Sequence, residues 1–512
     1  MRLVTPDEAV AVVANGDTLT FCGSAGVGVP SLLFEALARR FDATGEPRDL
    51  TLFFPVESGG ARGEGMDMLA RDGMLKRLVG GAFIFTGTKE TADTVRLIQS
   101  GEAEAYNLPM GVMFHLFREA AAGRPGLLTR VGLGTFVDPL YSGAKLNSRT
   151  KEDIVKRVTV EGETYLFYPA PRFNVAFIRG TVADEDGNIT VEEEASLLGS
   201  LSQAMAAKGS GGVVVAQVKR LVRRGSLRAK DVRIPGMLVD LLVVDPMQEQ
   251  IEGVDRDPAV SGEARVLAPP PSLDDAPLAA RIVARRAAQE LPDGALVNVG
   301  FGMGALVPRV IAAERPEAAI RFLVEQGAIG GVPLSGLMFG VAQNPEAFLE
   351  MPSWFDFIDG GNFSATCLGL GEVDGEGNVN NHWIGNVLTG CGGFIDITSR
   401  APHVIFCGTL TSGGLRVEVT DGRLRVLQEG KYRKLISTVP QPTFNGRDAR
   451  QRGQRMTVVT ERAVFELRSE GLTLVEMASG VTVAQVAALV GFPLKVAEHV
   501  RAMPAELFTE CS

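Results

Sequence analysis

A glutamate stands at residue 325 in the tetrad Val324-Glu325-Gln326-Gly327. It follows the apolar residues Ile320, Phe322, Leu323 and Val324 and opens into the glycine-rich turn Gly327-Ala-Ile-Gly330-Gly331-Val-Pro333. In open α/β sheets, ligands bind at the carboxyl ends of the strands. A carboxylate delivered there by a buried strand, beside pliable backbone, is positioned to act as a nucleophile. The same spacing also fits a solvated rim residue, so both readings stand on spacing alone.

The run Thr389-Gly-Cys-Gly392-Gly393-Phe-Ile-Asp396 could supply a partner for such a nucleophile. Consecutive glycines let backbone N–H groups approach a ligand oxygen closely. A donor aimed at a developing oxyanion can be worth ~2.7–4 kcal/mol. The competing reading is a tight turn between elements. Two further glycine turns, Gly23-Ser24-Ala25-Gly26-Val27-Gly28-Val29 and Gly300-Phe-Gly302-Met-Gly304, would each aim a helix N-terminus at an anion. Neither has the Gly-Lys-Ser/Thr of a Walker loop or the later acidic residue of a dinucleotide fingerprint, and either could be packing alone. Ser24 and Ser335 lie among glycines without a G-x-S-x-G elbow, which excludes a serine hydrolase of that type. The four histidines, His115, His382, His403 and His499, have no metal-ligand spacing, so no metal is expected. His382 in Asn380-Asn-His-Trp-Ile-Gly385 lies near the glycine run in sequence and is a candidate pocket contact.

The elements that must position these groups read as alternating strands and helices. Val213–Val218, Met237–Val244 and Val404–Cys407 are continuous apolar runs, as in strands covered on both faces. Leu32, Leu33, Ala36, Leu37 and Phe41 form a helical stripe, as do Leu306, Val307, Val310 and Ile311, and Leu197, Leu198, Leu201, Ala204 and Met205. The expected fold class is α/β. Asn15–Pro30 and Pro292–Pro308 read alike: polar turn, short strand, glycine turn, helix. The expectation is two related open α/β domains in one chain, with domains at 1–262 and 278–512. Between them, residues 263–277 read as a linker stiffened by three consecutive prolines.

At 512 residues the chain exceeds one core. Its net charge of −10 argues against nucleic acid as a partner. No apolar run reaches the roughly 20 residues that span a bilayer, so no membrane partner is expected. The N-terminus, with early acidic residues and no apolar core region, does not read as a signal peptide. Five widely spaced cysteines without a CxxC pair point to a reducing cytoplasm rather than a disulfide framework.

The tetrad and the turn through Pro333 resemble the catalytic glutamate segment of class I coenzyme A transferases, in particular the fused single-chain acetate/propionate type. Further blocks carry the resemblance along nearly the whole chain. They are Ala105–Phe117 with Gly132–Pro139, Arg179–Ile189, Asn344–Ala347, Phe355–Gly361 and Thr460–Phe465. The resemblance implies an active site between two related domains and transfer of coenzyme A from an acyl-CoA to a small carboxylate. It implies that Glu325 attacks the thioester and passes through a glutamyl-CoA thioester in a ping-pong cycle. It assigns an oxyanion-stabilising amide to Gly392 or Gly393 and coenzyme A contacts to the turns Gly23–Val29 and Gly300–Gly304. It requires no cofactor, since coenzyme A is a co-substrate, and it implies a homo-oligomer.

Two positions depart from the family pattern. Gln326 stands where many relatives have serine or asparagine. Met110 stands in the acyl pocket region where a glutamine amide is common, and a thioether cannot donate a hydrogen bond. Asn107 and His115 are the nearby candidate donors, and Met110 could instead fill apolar space. That departure keeps hydrolysis of acyl-CoA by the same glutamate open as an alternative, and because fold does not fix function a non-catalytic acyl-CoA- or metabolite-binding module is a second one.

Overall fold

Two sheets, one from each half of the chain, organise the molecule in the computed structural model, which describes residues 1–83, 90–267, 272–273 and 275–508. The prolines of the expected linker, at 269–271, and Cys511 lie outside the described residues. The first sheet runs Arg2–Leu3, Leu241–Val244, Val213–Val222, Val175–Asp184, Thr18–Phe21, Leu50–Phe54, Leu75–Gly80, Glu104–Asn107. Every neighbouring pair along this path is parallel. Such strands are covered on both faces, and Val175–Asp184 is buried along its whole length.

The second sheet centres on Leu296–Val299, parallel to Arg321–Leu323 on one side and to Ala365–Gly369 on the other. His403–Cys407 and Arg455–Val459 continue it in parallel. Thr18–Phe21 in the first sheet and Leu296–Val299 in the second thus each sit inside their sheet, between the strand that follows in the chain and a much later one. This is the switch in strand order at which α/β sheets open a crevice. The mixed α/β architecture in two related halves agrees with the expectation.

The helical stripe at residues 32–41 forms the helix Ser31–Thr44, which buries Leu33, Phe34, Leu37 and Phe41 and ends at Gly45 in the left-handed conformation. Two readings need correction. The run from Met237 yields only the strand Leu241–Val244, because Gly236–Leu238 forms a 3-10 turn and Met237 projects into solvent. Helix Ser200–Gly209 starts after Leu197 and Leu198, and Met205 on it is exposed. The C-terminal part of the chain supplies the strands Gly471–Met477 and Lys495–Ala502 at the edge of the second sheet.

The halves share one core. Helix Met110–Ala121 of the first half packs on helices Met351–Asp359 and Phe394–Arg400 of the second, with the Phe114 and Phe355 rings stacked at 6.0 Å. The N–H groups of Gly111 and Val112 at that helix's start donate to the Asp396 carboxylate at 3.1 and 3.2 Å. A buried acid from one half therefore caps a helix of the other.

Candidate active site at the seam between the halves

Strand Arg321–Leu323 ends two residues before Glu325. Asn298, inside the neighbouring strand, donates to Leu323 O at 3.2 Å and accepts from Thr366 Oγ1 at 2.9 Å, which braces that strand end. The chain then reverses: Gly327 N–H donates to Val324 O at 3.0 Å and Val324 N–H to Ala328 O at 2.9 Å. Gly327 has φ 95°, and a Cβ there would collide with the Leu349 carbonyl, so the turn requires glycine. Glu325 is left half-buried at the tip.

The carboxylate faces a cavity of about 270 Å³. Its walls are mostly apolar, with Phe301, Phe339, Leu368, Ile384, Val387 and Phe394 among them. Glu325 is the one charged side chain in this lining among the described residues, and no Lys, Arg or His joins it. Among the described residues the carboxylate has no hydrogen-bond partner. Burial alone raises its pKa from 4.5 to about 7, since desolvation disfavours the charged form.

The glycine run lies opposite. Gly392 has φ 49°, and a Cβ added to it would lie 3.7 Å from Glu325 Oε1, so the run passes close to that carboxylate. The run is stitched to the first half. Gly392 N–H donates to Gly81 O at 2.9 Å, Met110 N–H to Gly392 O at 2.9 Å, and Phe83 N–H to Thr389 O at 2.9 Å. Asn107 clips the two halves: its amide donates to Gly80 O and Gly81 O at 2.9 and 2.6 Å, and its Oδ1 accepts from Cys391 N–H at 2.8 Å. With Gly392 N–H committed, Gly393 N–H is the amide of the pair that has no acceptor among the described residues.

The structure gathers Glu325, Gly392, Gly393, Gly300 and Gly302 around this one cavity. It does not bring the other candidates there. Residues Ser24 to Val29 are buried, and the turn is closed by protein: side chains at Gly23 and Gly28 would meet Ser58 and Leu198. Gly304 packs beneath the Cys367 carbonyl. Met110 is fully buried behind the glycine run, with its methyl 3.3 Å from where a Gly393 Cβ would lie. Asn107 has both amide hydrogens engaged, and His115 pairs with Asp356 at 3.0 Å away from the cavity. His382 stacks on Phe136 at 3.9 Å, and burial lowers its pKa to about 4, so it is a neutral packing residue rather than a pocket contact. Asn298, Asn381 in the cavity lining and the clip role of Asn107 were missed from sequence. The available signal for Asn298 was a polar residue within the apolar strand Leu-Val-Asn-Val, since buried polar groups take partners. Among the described residues no group of three His, Cys, Asp or Glu could hold a metal.

Fold and cavity together define a two-domain α/β protein with a carboxylate-bearing cavity at strand ends where its halves meet. Residues 3–245 match the family model described as coenzyme A transferase. The chain is 39% identical over 489 residues to acetate CoA-transferase YdiF of Escherichia coli (strain K12), covering 94% of this chain and 90% of that one. It is 37% identical to caffeate CoA-transferase of Acetobacterium woodii, covering 99% and 98%. A crystal structure of the acyl-CoA transferase YdiF from E. coli O157:H7, a thioester complex with CoA, matches with TM-score 0.92 at 36% identity, over 99% of this chain and 96% of that one. The chain belongs to the coenzyme A transferase family and is a CoA-transferase.

Proposed function

We propose that Glu325 carries coenzyme A covalently between a donor acyl-CoA and an acceptor carboxylate. A Glu325 oxygen attacks the thioester carbonyl carbon, the C–S bond breaks, and a mixed anhydride and the CoA thiolate result. The thiolate attacks the Glu325 carbonyl carbon, expels the first carboxylate, and leaves a glutamyl-CoA thioester. The acceptor carboxylate then runs these steps in reverse and regenerates Glu325. Dividing the transfer this way gives ping-pong kinetics. No proton is gained or lost overall, and in this reading no metal or organic cofactor takes part.

One observation carries the reading: a carboxylate with no counter-ion among the described residues, at a strand end, facing a glycine run across a small apolar cavity. In this scheme Gly393 N–H serves the oxyanion, because Gly392 N–H is held by Gly81. Gly300 and Gly302 lie beside the coenzyme A thiol end. The acyl group is compact and uncharged beyond its thioester, as in the acetate, propionate and 3-ketoacid class. A second carboxylate would be desolvated among apolar walls with no cation among the described lining residues.

The domain division at 263–277, a cytoplasmic location and a homo-oligomer belong to the same proposal. The location is supported by the unpaired, buried Cys22, Cys367, Cys391 and Cys407, the oligomer by the family resemblance. Free-thiol release from acetyl-CoA, measured with and without a second carboxylate, tests transfer against hydrolysis. Transfer predicts CoA exchange that depends on the acceptor with little net thiol release. Steady thiol release without an acceptor would contradict it.

A further inference from the structure

The Glu325 carboxylate has no hydrogen bond of its own among the described residues, so its aim depends on how its backbone is held. The neighbouring residue does that holding. Gln326 is 2% exposed and is gripped at three points. Its N–H donates to Gly340 O at 3.0 Å. Its carbonyl accepts from Ser196 Oγ, and its side-chain Nε2 donates to Ser24 Oγ. Gly340 makes room for this, since a Cβ there would collide with Gln326 Cγ.

Ser24 and Ser196 both belong to the first half. Ser24 sits in a braced turn, its N–H donating to Val27 O at 2.9 Å, while the next residue, Ala25, donates to Glu57 O at 2.9 Å. An apolar cluster drawn from both halves, including Val27, Ala195, Ile251 and Val341, seals the contact. Gln326 thereby ties the nucleophile's turn to the first half. The glycine run is tied to the same half by separate contacts, through Gly81 and Asn107.

We propose that Gln326, through Ser24 and Ser196, is a positioning residue that sets the approach of Glu325 to the glycine run by registering both against the first half. It touches no reacting atom and acts through the turn it anchors. This rests on Glu325 being the nucleophile. A serine or asparagine in its place would be too short to span to Ser24. The buried turn Gly23–Val29 thus gains a role as an anchor for the site.

The test compares Gln326→Met, which keeps side-chain length but loses the donor, with Ser24→Ala, Ser24→Thr and the Gln326→Met/Ser24→Ala double variant. Single-turnover formation of the glutamyl-CoA adduct, the acyl-CoA Kd and the melting temperature are measured for each. Misplacing a nucleophile by about 1 Å can cost about a hundredfold. Gln326→Met and Ser24→Ala are expected to slow adduct formation by about ten- to a hundredfold while leaving Kd within about twofold. The double variant should be no slower than the worse single one, because both break the same contact. Ser24→Thr, which keeps a hydroxyl, should retain the parent rate. Parent-like adduct formation in both Gln326→Met and Ser24→Ala, with only a lower melting temperature, would overturn the proposal. Ser24→Ala alone decides the matter if Gln326→Met does not fold. A parent enzyme that never forms the adduct would instead break the nucleophile assignment.

Discussion

In each half the strand that follows Thr18–Phe21 or Leu296–Val299 runs into a Glu-X-Gly turn, yet only one of these two glutamates lines the cavity at the seam. In the first half, Leu50–Phe54 leads through Pro55 and Val56 to Glu57-Ser58-Gly59, with Gly59 at φ 125°. In the second, Arg321–Leu323 leads to Glu325-Gln326-Gly327, with Gly327 at φ 95°. Glu57 is only 1% exposed, and its sheet runs on in parallel through Leu75–Gly80 and Glu104–Asn107. After Glu325 the chain instead turns back antiparallel through Ala328–Ile329, and a cavity opens beside the carboxylate. A short local signature therefore does not make a nucleophile. What covers the strand end decides it.

The widest break in this comparison comes from neutralising each glutamate in turn. Glu325→Gln is expected to lose turnover by about 10⁴-fold or more, as for removal of a covalent nucleophile, and to form no adduct. Glu57→Gln is expected to keep the adduct on Glu325. Both are read by intact mass and by steady-state kinetics.

A second effect sharpens the role of the seam. Asn107→Ala removes three hydrogen bonds between Gly80, Gly81 and Cys391. Leaving buried groups unpaired typically costs about 1–3 kcal/mol, so a lower melting temperature is expected together with slower adduct formation.

The third test concerns pH. Burial raises the Glu325 pKa from 4.5 to about 7. Between these values the folded protein holds a proton that the unfolded chain has lost, so stability falls as pH rises through that window, and the penalty is complete above it. Adduct formation needs the carboxylate, so its rate should fall on the acid side with a midpoint near pH 7. Glu325→Gln removes the penalty. By linkage the variant should exceed its parent in stability by up to about 3 kcal/mol at about pH 8, and the gap should close by about pH 4. Denaturant unfolding at the two pH values checks the sign.

The smallest effect is expected at Met110. Met110→Gln should keep or raise turnover on short acyl groups, at a stability cost of about 1 kcal/mol for a buried amide. A collapse of turnover with the fold intact would give the thioether a positive role.

Much of the site was legible locally. An apolar run ending at Glu325 and a glycine turn is a short-range pattern, and the strand–glycine–helix echo between Thr18 and Leu296 marks the two halves. What escaped was the pairing of distant segments. Gln326 meets Ser24, Asn107 meets Cys391, and Asp396 meets Gly111, each across the seam. Periodicity reports which face of an element is buried, not which distant element covers it. For the same reason the glycines of Gly23–Val29 read as an open anion loop, whereas Ser58 and Leu198 fill the space their missing side chains leave. His382 likewise lies close to the glycine run in sequence but turns onto Phe136 in space.

The most direct measurement is peptide mass spectrometry of the enzyme mixed with acetyl-CoA and quenched in acid during turnover. The account predicts coenzyme A mass on the peptide holding Glu325, lost on treatment with hydroxylamine and absent from the peptide holding Glu57. Continued turnover with the Glu325 peptide unmodified at every time point would contradict it.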